Sequence, residues 1–416
     1  MSGLFYEDYF LIMARLFCFN PDSEMAIANG GRFYTPPANI IRMAKDLGYL
    51  PAYFSDKGDA VLVQQKPDEE FIRERETIFG LSPELVQQKM YAGLGDRTAE
   101  PWGWSPRTDQ FLQAGYWKEE YKGLYSRLTA CQCLRELCNR LPFIRKDIVP
   151  EVCRSLDEIA VCVQGGEYVV KAPWSSSGKG QLGIGREGIT VKAGEWLKGI
   201  LHRQNYVMVE KRLERVCDFA MEFYADGEGT INYAGLSFFY TGNGGEYQGN
   251  YIGTQSRIEA KLTAYIGWEQ LCSIKKELSE ILPSALSRYK GFLGVDMMIY
   301  KDEQGEYLVQ PCVEINLRYT MGVLALFISE RYVAENSEGI FKISFYPGEG
   351  EAFQKNLGYR HISPLKYEEN KIIAGYINLN PVDNSTKFLA ELFIRKRNGS
   401  ELGFVQIHVD GFGSYS

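Results

Sequence analysis

The chain has 416 residues, of which 45% are hydrophobic and 24% charged, and a formal net charge of −7. This composition predicts a globular protein of two to four domains or subdomains, and its acidic balance argues against DNA or RNA as a partner. The nearest candidate for a membrane helix, residues 10–19, carries Arg15 and is shorter than the roughly 20 residues that such a helix needs, so no membrane partner is predicted.

The nine cysteines are scattered and form no C-x-x-C pair. An odd number without such spacing favours free thiols in a reducing, cytoplasmic setting. Cys131, Cys133 and Cys138 share one predicted helix, and with three histidines in the whole chain they are better explained as core thiols than as zinc ligands.

The first 122 residues predict a small α/β domain that ends in a connector. Met13 is a candidate natural start, which would make residues 1–12 a disordered extension. A strand, a helix and two further strands are expected, in this order: Ala14–Phe19, Ala38–Leu47, Tyr53–Phe54 and Ala60–Val63. The first βα turn is a ligand position in open α/β sheets, although an ordinary solvated turn explains its polar residues equally well: Asn20, Asp22, Glu24, Asn29, Arg32 and Tyr34. Residues 91–115, which include Trp102-Gly103-Trp104, are expected to form an ordered connector at the edge of a cleft.

The rest of the chain predicts an α+β body. Helices are expected at Ser126–Leu141, Gly194–Arg203 and Trp268–Tyr289. Strands are more numerous, and their predicted ranges are Ala160–Val163, Tyr168–Lys171, Ile189–Lys192, Val207–Glu210, Asp218–Ala225, Ile231–Thr241, Val295–Tyr300, Tyr307–Glu314, Ile340–Tyr346, Ile372–Leu379 and Phe388–Arg395. Many strands with a few inserted helices are typical of an α+β fold.

Residues 169–181, VVKAPWSSSGKGQ, place a lysine at the end of a predicted strand and a second lysine in a Ser/Gly loop. Such a loop suits phosphate because small residues let backbone N–H groups approach oxygen anions. A Walker A loop is excluded because Pro173 and Gly180 occupy positions that need glycine and Ser or Thr. A dinucleotide fingerprint is excluded because a strand-turn-strand pattern, and no helix, follows the glycines. A protein kinase is excluded because the strand lysine precedes the loop.

Five motifs in sequence give residues 123–325 a resemblance to the ATP-grasp superfamily. They are Ser126-Arg127 at a helix start, Val169-Val170-Lys171, Val209-Glu210-Lys211-Arg212-Leu213, Asp218 at the next strand, and Gly294-Val295-Asp296 followed by Val313-Glu314-Ile315-Asn316-Leu317-Arg318. Two features depart from the pattern. Arg127 stands where the family usually has lysine, and Pro311-Cys312 precedes the last motif, so that strand is expected to be at an edge or bulged.

The resemblance implies an ATP-grasp fold, in which two α+β subdomains clasp ATP, preceded by the small α/β domain. The expected division is 1–122 for the N-terminal domain and connector, 123–206 for the first subdomain with its glycine-rich flap, 207–330 for the second subdomain with the metal site, and 331–416 for a region whose suggested roles are closing the acceptor pocket or forming homodimer contacts. The loop at 240–253 is expected either to line the acceptor pocket or to be an ordinary mobile loop.

The resemblance also implies roles for individual residues. Glu314 and Asn316 are two residues apart and therefore point to one face of a strand, where with Asp296 they would bind Mg²⁺, with Mn²⁺ as an alternative. Three polar residues on a half-exposed strand are the alternative explanation. Arg318 is expected to hold the transferred phosphate or the substrate carboxylate, and Lys261 to add a second cation. The residues expected to bind ATP are Arg127, Lys171, Ser175, Ser176, Ser177, Gly178, Lys179, Glu210, Lys211, Leu213 and Asp218.

These expectations predict a ligase that uses ATP to activate a small carboxylate as an acylphosphate, which a small amine then captures. A kinase on the same fold, in which the phosphate stays on the product, is a second possibility. A nucleotide-binding regulatory protein without turnover is a third. No sequence pattern identifies either substrate.

Overall fold

The computed structural model describes residues 14–30, 34–175, 180–242 and 244–397. The expected extension at residues 1–12 lies outside this range, as do the flap residues Ser176, Ser177, Gly178 and Lys179. The described part of the chain folds into helices and three sheets, which confirms the α+β prediction. No helix in it is long and apolar enough to cross a membrane.

The N-terminal sheet is parallel and has the order β3-β2-β1-β4. Its strands are β1 (Arg15–Cys18), β2 (Ala60–Val63), β3 (Glu84–Gln87) and β4 (Thr98–Pro101). The helices of this region are α1 (Ser23–Asn29), α2 (Ala38–Asp46), α3 (Glu69–Phe79) and α4 (Pro106–Leu112). The predicted strand at Tyr53–Phe54 is wrong: Leu50–Phe54 is a 3₁₀ helix, entirely buried, whose apolar run reflects burial and not strand pairing.

The second sheet is antiparallel, with the order β5-β8-β6-β7. It consists of β5 (Glu151–Cys153), β6 (Tyr168–Lys171), β7 (Gln181–Ile184) and β8 (Val207–Lys211), and three helices accompany it: α5 (Arg127–Arg140), α6 (Leu156–Cys162) and α7 (Val191–Gln204). The hairpin of β6 and β7 carries the glycine-rich loop, as the sequence predicts.

Two strands predicted in this region are helical. Ala160–Val163 lies at the end of α6, which begins where the Ser155 hydroxyl accepts a hydrogen bond from the Glu158 N–H. Residues 189–192 enter α7, since the Thr190 hydroxyl caps it by accepting from the Ala193 N–H. Both strand predictions failed for the same reason. A capping residue at the start of a helix favours helix more strongly than a short β-branched run favours a strand.

The third sheet is antiparallel and has nine strands in the order β13-β12-β9-β10-β11-β14-β17-β16-β15. The strands are β9 (Glu214–Asp226), β10 (Ile231–Thr241), β11 (Tyr247–Ile252), β12 (Lys290–Lys301), β13 (Tyr307–Asn316), β14 (Ser337–Phe345), β15 (Lys366–Glu368), β16 (Lys371–Asn378) and β17 (Phe388–Lys396). The accompanying helices are α8 (Gln255–Thr263), α9 (Trp268–Ala285), α10 (Met321–Tyr332) and α11 (Glu351–Ile362). The sheet is continuous across residue 330, where a boundary was expected; the division into four regions stays a prediction.

The two faces of the nine-stranded sheet pack against different parts of the molecule. One face, which includes Phe219 and Met297, packs with α5, α8 and α9 into a large core. The other face, which includes Phe292, packs with α10 and the N-terminal region, where Phe54 and Phe327 belong to the same core. The second sheet has its own smaller core. The polar cluster described next lies on the second of these faces, beside the N-terminal region.

Candidate active site

Asp296 and Glu314 lie directly opposite each other on β12 and β13. Asn316, two residues further on, faces Gly294 and donates a hydrogen bond from Nδ2 to Asp296 Oδ2 at 2.9 Å. Opposed residues on neighbouring antiparallel strands point to the same face, so the structure brings the three predicted metal ligands together. We call Asp296, Glu314 and Asn316 the oxygen row.

The oxygen row places two carboxyl groups side by side. Burial, then the neighbouring Glu314 and Glu222 carboxylates, raise the pKa of Asp296 well above its usual value. Directly opposed like charges are unfavourable on a sheet, and a hard divalent cation bound by oxygen ligands would relieve the repulsion. Two carboxylates and an amide oxygen therefore fit Mg²⁺, although no group of three or more His, Cys, Asp or Glu residues is found in the described ranges.

The unusual strand geometry expected at Pro311-Cys312 is present and helps to form the row. β13 is the edge strand of the sheet, and its register shifts between the pair Asp296–Glu314 and the pair Met298–Gln310. Pro311 has no backbone N–H to donate, so it suits an irregular edge position. The bulge lies next to the two carboxylates, where such irregularities commonly redirect side chains.

Arg318 binds both the oxygen row and the N-terminal region. Its Nη2 donates to Asn316 Oδ1 at 3.0 Å, and its Nε donates to Glu24 Oε1 at 2.8 Å. Burial alone would lower the pKa of Arg318, but the Glu24 and Asp296 carboxylates raise it on balance. The guanidinium is therefore a permanent cation between an acidic helix residue and the row.

Arg127 connects the flap to the oxygen row. Its Nη1 donates to Ala172 O at 2.7 Å and to Ser175 Oγ at 2.5 Å, and its Nη2 donates to Glu314 Oε1 at 2.8 Å. The side chain is buried, and its forked donors reach both partners at once. One side chain thus joins the root of the flap, on the second sheet, to β13 of the nine-stranded sheet.

Lys171 and Glu210 form an ion pair of 2.5 Å on one face of the second sheet. The opposite face of that sheet packs into its core through Val170 and Val209. Lys171 directly precedes Ala172, so its ammonium lies at the same end of the hairpin that Arg127 contacts. The structure thus places Lys171, Ser175, Glu210 and Arg127 around the junction of the two sheets.

Asp218 lies on the same face of the nine-stranded sheet as the oxygen row, because it pairs with Met298 while Ala220 pairs with Asp296. Its Oδ2 accepts from Thr241 Oγ1 at 2.5 Å. Burial raises its pKa, and the hydrogen bond from Thr241 reduces this shift without abolishing it.

Three predicted residues point elsewhere. Lys211 is half exposed and donates to Asp147 at 2.9 Å; hydrogen bonds from Arg145 and then Lys211 lower the pKa of Asp147 to about 2. The Leu213 side chain packs against the large core. Lys261 lies over the Tyr251 ring at 4.6 Å, on the face of the sheet opposite to the oxygen row.

The placement of Lys261 corrects the expectation of a second cation at the site. Tyr251 belongs with the large core, and the pairing of β9, β10 and β11 puts it on the face opposite to Asp218 and Asp296. Arg257, its neighbour on α8, donates to Ser337 O at 2.7 Å. The loop expected at 240–253 also differs, because residues 247–252 form β11 inside the sheet.

The structure adds Glu222, which sequence reasoning missed. Its carboxyl is buried, accepts from Ser237 Oγ at 2.8 Å, and accepts from Thr320 Oγ1 at 3.1 and 3.2 Å. Burial raises its pKa to about 7. The sequence spacing could have predicted this position, because residues four apart on a strand, such as Asp218 and Glu222, lie on the same face.

Solved structures of other proteins are similar in fold to this chain. The chain aligns over 92% of its length with 86% of the biotin carboxylase domain of Hydrogenobacter thermophilus 2-oxoglutarate carboxylase, solved with MgADP, ADP and bicarbonate, at a TM-score of 0.51 and 11% identity. The chain has an ATP-grasp fold.

Two further ATP-grasp structures are similar over 92% of the chain. Rhizobium etli pyruvate carboxylase aligns over 36% of its own length at a TM-score of 0.51 and 11% identity. Staphylococcus aureus N5-carboxyaminoimidazole synthetase, in complex with ADP, aligns over 93% of its length at a TM-score of 0.48 and 13% identity. No protein-family model matches the sequence, and no curated protein matches it.

Proposed function

We propose that this protein is an ATP- and Mg²⁺-dependent ligase that activates a carboxylate as an acylphosphate and couples it to an amine. The observation that carries the proposal is the oxygen row with Arg318 on one side and Arg127 on the other. Transfer of a phosphoryl group to a carboxylate brings anions together, and this arrangement supplies ligands and fixed cations to offset their repulsion.

Each residue has a stated task in this proposal. Asp296, Glu314 and Asn316 would hold Mg²⁺, which when bound neutralises charge on the phosphates. Lys171 and Arg127, at the root of the flap, would bind phosphate oxygens, and Arg127 would exchange its contact with Glu314 for a phosphate contact. Arg318 would orient the carboxylate that attacks the γ-phosphorus.

The proposed reaction has two steps, formation of the acylphosphate and its capture by the amine. A carboxylate oxygen bonds to the γ-phosphorus, the bond from phosphorus to the β,γ-bridging oxygen breaks, and ADP leaves. The amine nitrogen then attacks the acyl carbon, inorganic phosphate leaves with the electron pair of the carbon–oxygen bond, and the nitrogen loses a proton.

The test is an ADP-release screen with Mg²⁺ and ATP in which small carboxylates, amino acids included, are offered with and without amines. We expect ADP release that needs both partners, with free phosphate formed in equal amount. Asp296→Asn and Glu314→Gln should each lower turnover by about 100-fold or more, since each removes a charged metal ligand. Turnover that survives in both variants would overturn the metal assignment, and a phosphorylated product without phosphate release would favour the kinase.

A further inference from the structure

Two cysteine sulfurs lie in contact at the edge of the second sheet. Cys153 is the last residue of β5, Cys162 is the last residue of α6, and their Sγ atoms are 3.6 Å apart. Cys153 belongs to the core of this sheet, and Cys162 packs against that core. The two residues are nine positions apart in the sequence. A strand and the helix that follows it thus hold two free thiols face to face.

The gap between the two sulfurs is small enough to close without refolding. A disulfide needs a sulfur–sulfur distance of about 2.05 Å, so the atoms must approach by roughly 1.5 Å. Rotation of each side chain about its Cα–Cβ bond moves its sulfur by a distance of this order. β5 is the edge strand of its sheet and α6 has seven residues, so the backbone on both sides can also adjust.

The thiol pair is reached from solvent through an open depression of about 410 Å³. Cys162 is partly exposed, whereas Cys153 is 2% exposed, so a molecule in the depression meets the Cys162 sulfur first. Val152 and Val161 also line the depression, and Val161 is 70% exposed. One sulfur is therefore open to reagents and the other is shielded.

The hydrogen bond between the sulfurs has a defined direction. Burial, and then the hydrogen bond with Cys162, raise the pKa of the Cys153 thiol to about 12. Cys153 therefore stays a protonated donor, and the Cys162 sulfur is the acceptor. A partly exposed sulfur with a second thiol directly beside it is the arrangement in which an oxidised cysteine is captured as a disulfide.

Two other cysteines show what an unreactive thiol looks like in this chain. Cys131 donates to Pro150 O at 3.5 Å, and Cys312 donates to Ala130 O at 3.4 Å. Both are buried. A buried thiol that is already hydrogen-bonded to a carbonyl is inert to reagents in solvent, so these two residues serve as internal references for reactivity.

We propose that Cys153 and Cys162 form an oxidation site, which a hydroperoxide converts to a disulfide and a dithiol returns to two thiols. The Cys162 sulfur bonds to the terminal peroxide oxygen, the oxygen–oxygen bond breaks, and the thiol proton goes to the leaving oxygen, which gives a sulfenic acid and an alcohol, or water from hydrogen peroxide. The Cys153 sulfur then bonds to the Cys162 sulfur, the sulfur–oxygen bond breaks, and the hydroxyl group leaves as water with the Cys153 proton. The thiol pair loses two electrons, and the peroxide gains them.

The charges around the depression favour a neutral oxidant. Glu151, Asp157 and Glu158 line it, and no basic residue of the described chain is among its lining residues. Oxidised glutathione is an anion, so these carboxylates repel it, whereas a hydroperoxide is uncharged at neutral pH. The site therefore suits a peroxide better than exchange with the glutathione pool.

This inference goes beyond the proposed ligase function and does not depend on it, because neither cysteine takes part in the proposed reaction. The disulfide would tie α6 to β5, which pairs with β8, the strand of Glu210. Oxidation thus adds a covalent link at one edge of the second sheet, and a dithiol removes it.

The test treats the full-length protein with hydrogen peroxide, alkylates the remaining thiols, and digests the protein with trypsin for mass spectrometry. Trypsin cuts after Arg154, between the two cysteines, so the disulfide appears as a cross-linked pair of peptides. We expect this pair to account for most of the oxidised cysteine, and dithiothreitol to abolish it. Oxidised glutathione at equal concentration should produce it about tenfold more slowly or less.

Two variants assign the separate roles of the cysteines. Cys153→Ser removes the thiol that captures the sulfenic acid, so trapping of Cys162 by dimedone should rise about fivefold or more over the parent. Cys162→Ser should lose the cross-linked pair and leave Cys153 unoxidised. Cys272→Ser, at another partly exposed cysteine, on α9, is the matched control and should behave like the parent. Melting temperatures establish that the variants are folded, and if Cys153→Ser does not fold, the parent and Cys162→Ser decide.

Three results would overturn the proposal. One is oxidised protein without the cross-linked pair, and another is oxidation of Cys131 or Cys312 at the same rate as Cys162. The third is faster reaction with oxidised glutathione than with hydrogen peroxide, which would remove the hydroperoxide assignment. ADP release is measured separately, so failure of this site leaves the ligase function standing, and failure of the ligase function leaves this site standing.

Discussion

Glu222 is a carboxyl group in a space made for it by two glycines. A side chain at Gly294 would meet Glu222 Oε2 at 2.6 Å, and one at Gly322 would meet Oε1 at 2.1 Å. The two hydroxyls of Ser237 and Thr320 are neutral donors and do not compensate a full charge. Ionising the buried carboxyl therefore costs desolvation free energy, and its pKa rises to about 7.

This shift predicts a pH-dependent contribution to stability. Below the ordinary pKa of 4.5 the carboxyl is protonated in both the folded and the unfolded chain. Between that value and about 7 the folded protein retains a proton that the unfolded chain has lost, so stability falls as pH rises, by about 3 kcal/mol in total. Glu222→Gln stays neutral at every pH and should lack this fall.

The measurement is urea denaturation of both proteins from pH 4.5 to 8. The difference in unfolding free energy between Glu222→Gln and the parent should change in favour of the variant as pH rises, then level off above pH 7. A difference that is constant with pH would contradict the assignment of the shift to Glu222.

At the scale of elements, α10 packs closely against the face of the sheet that carries the oxygen row. Thr320 caps this helix by accepting from the Val323 N–H at 2.9 Å, and the same hydroxyl donates to Glu222. Gly322, in the first turn, lets the helix approach Glu222 and Ser237. The buried Glu222 carboxyl thus contacts the start of α10 at Thr320, two residues after Arg318.

Gly322→Ala should therefore destabilise the protein although alanine favours helix. The new methyl group would lie 2.1 Å from Glu222 Oε1 and 2.4 Å from Ser237 Oγ, and overpacking of this kind costs about 1–3 kcal/mol. Gly358→Ala in α11 is the matched control, since nothing lies within 4 Å of its new methyl group, and should stabilise by up to about 1 kcal/mol. Thermal and urea denaturation measure both; equal effects would contradict the close approach.

Most helices and strands of this protein were predictable from the sequence. The side-chain contacts between distant elements were not. A spacing of two residues was enough to place Glu314 and Asn316 on one face, because strand geometry fixes the direction of side chains. Lys261 was placed wrongly because its sequence neighbourhood does not determine which face of the sheet α8 covers. The contact of Glu24 with Arg318 spans 294 positions, and no local pattern encodes such a pairing.

At the scale of the whole molecule, the N-terminal region and the end of the nine-stranded sheet are held together by buried polar groups. Arg75 on α3 is fully buried and donates from Nη1 to Asn378 O on β16 at 2.6 Å. It also pairs with Glu74, which receives two further hydrogen bonds, of 2.7 and 2.8 Å, from Arg360 on α11. These contacts connect residues at opposite ends of the chain within one packed unit.

Arg75→Met should therefore lower the unfolding free energy by about 1–3 kcal/mol, because it leaves the buried Asn378 carbonyl without its donor and removes one of the two arginines that neutralise Glu74. Arg73→Met, on the exposed side of the same helix, should have little effect. Circular dichroism and tryptophan fluorescence should report one coincident, shifted transition for Arg75→Met. Two separate transitions in the parent protein would contradict the joining of the two regions.

The strand order of the nine-stranded sheet has a consequence for how the protein is made. β11 is completed at Ile252, yet its partner β14 begins only at Ser337, after β12, β13 and α10 have left the ribosome. Until then β11 presents an unpaired edge, and such an edge can pair with another chain. A truncated chain that stops after the oxygen row would carry all three predicted metal ligands and still present this edge, which is covered only once the last strands have been made.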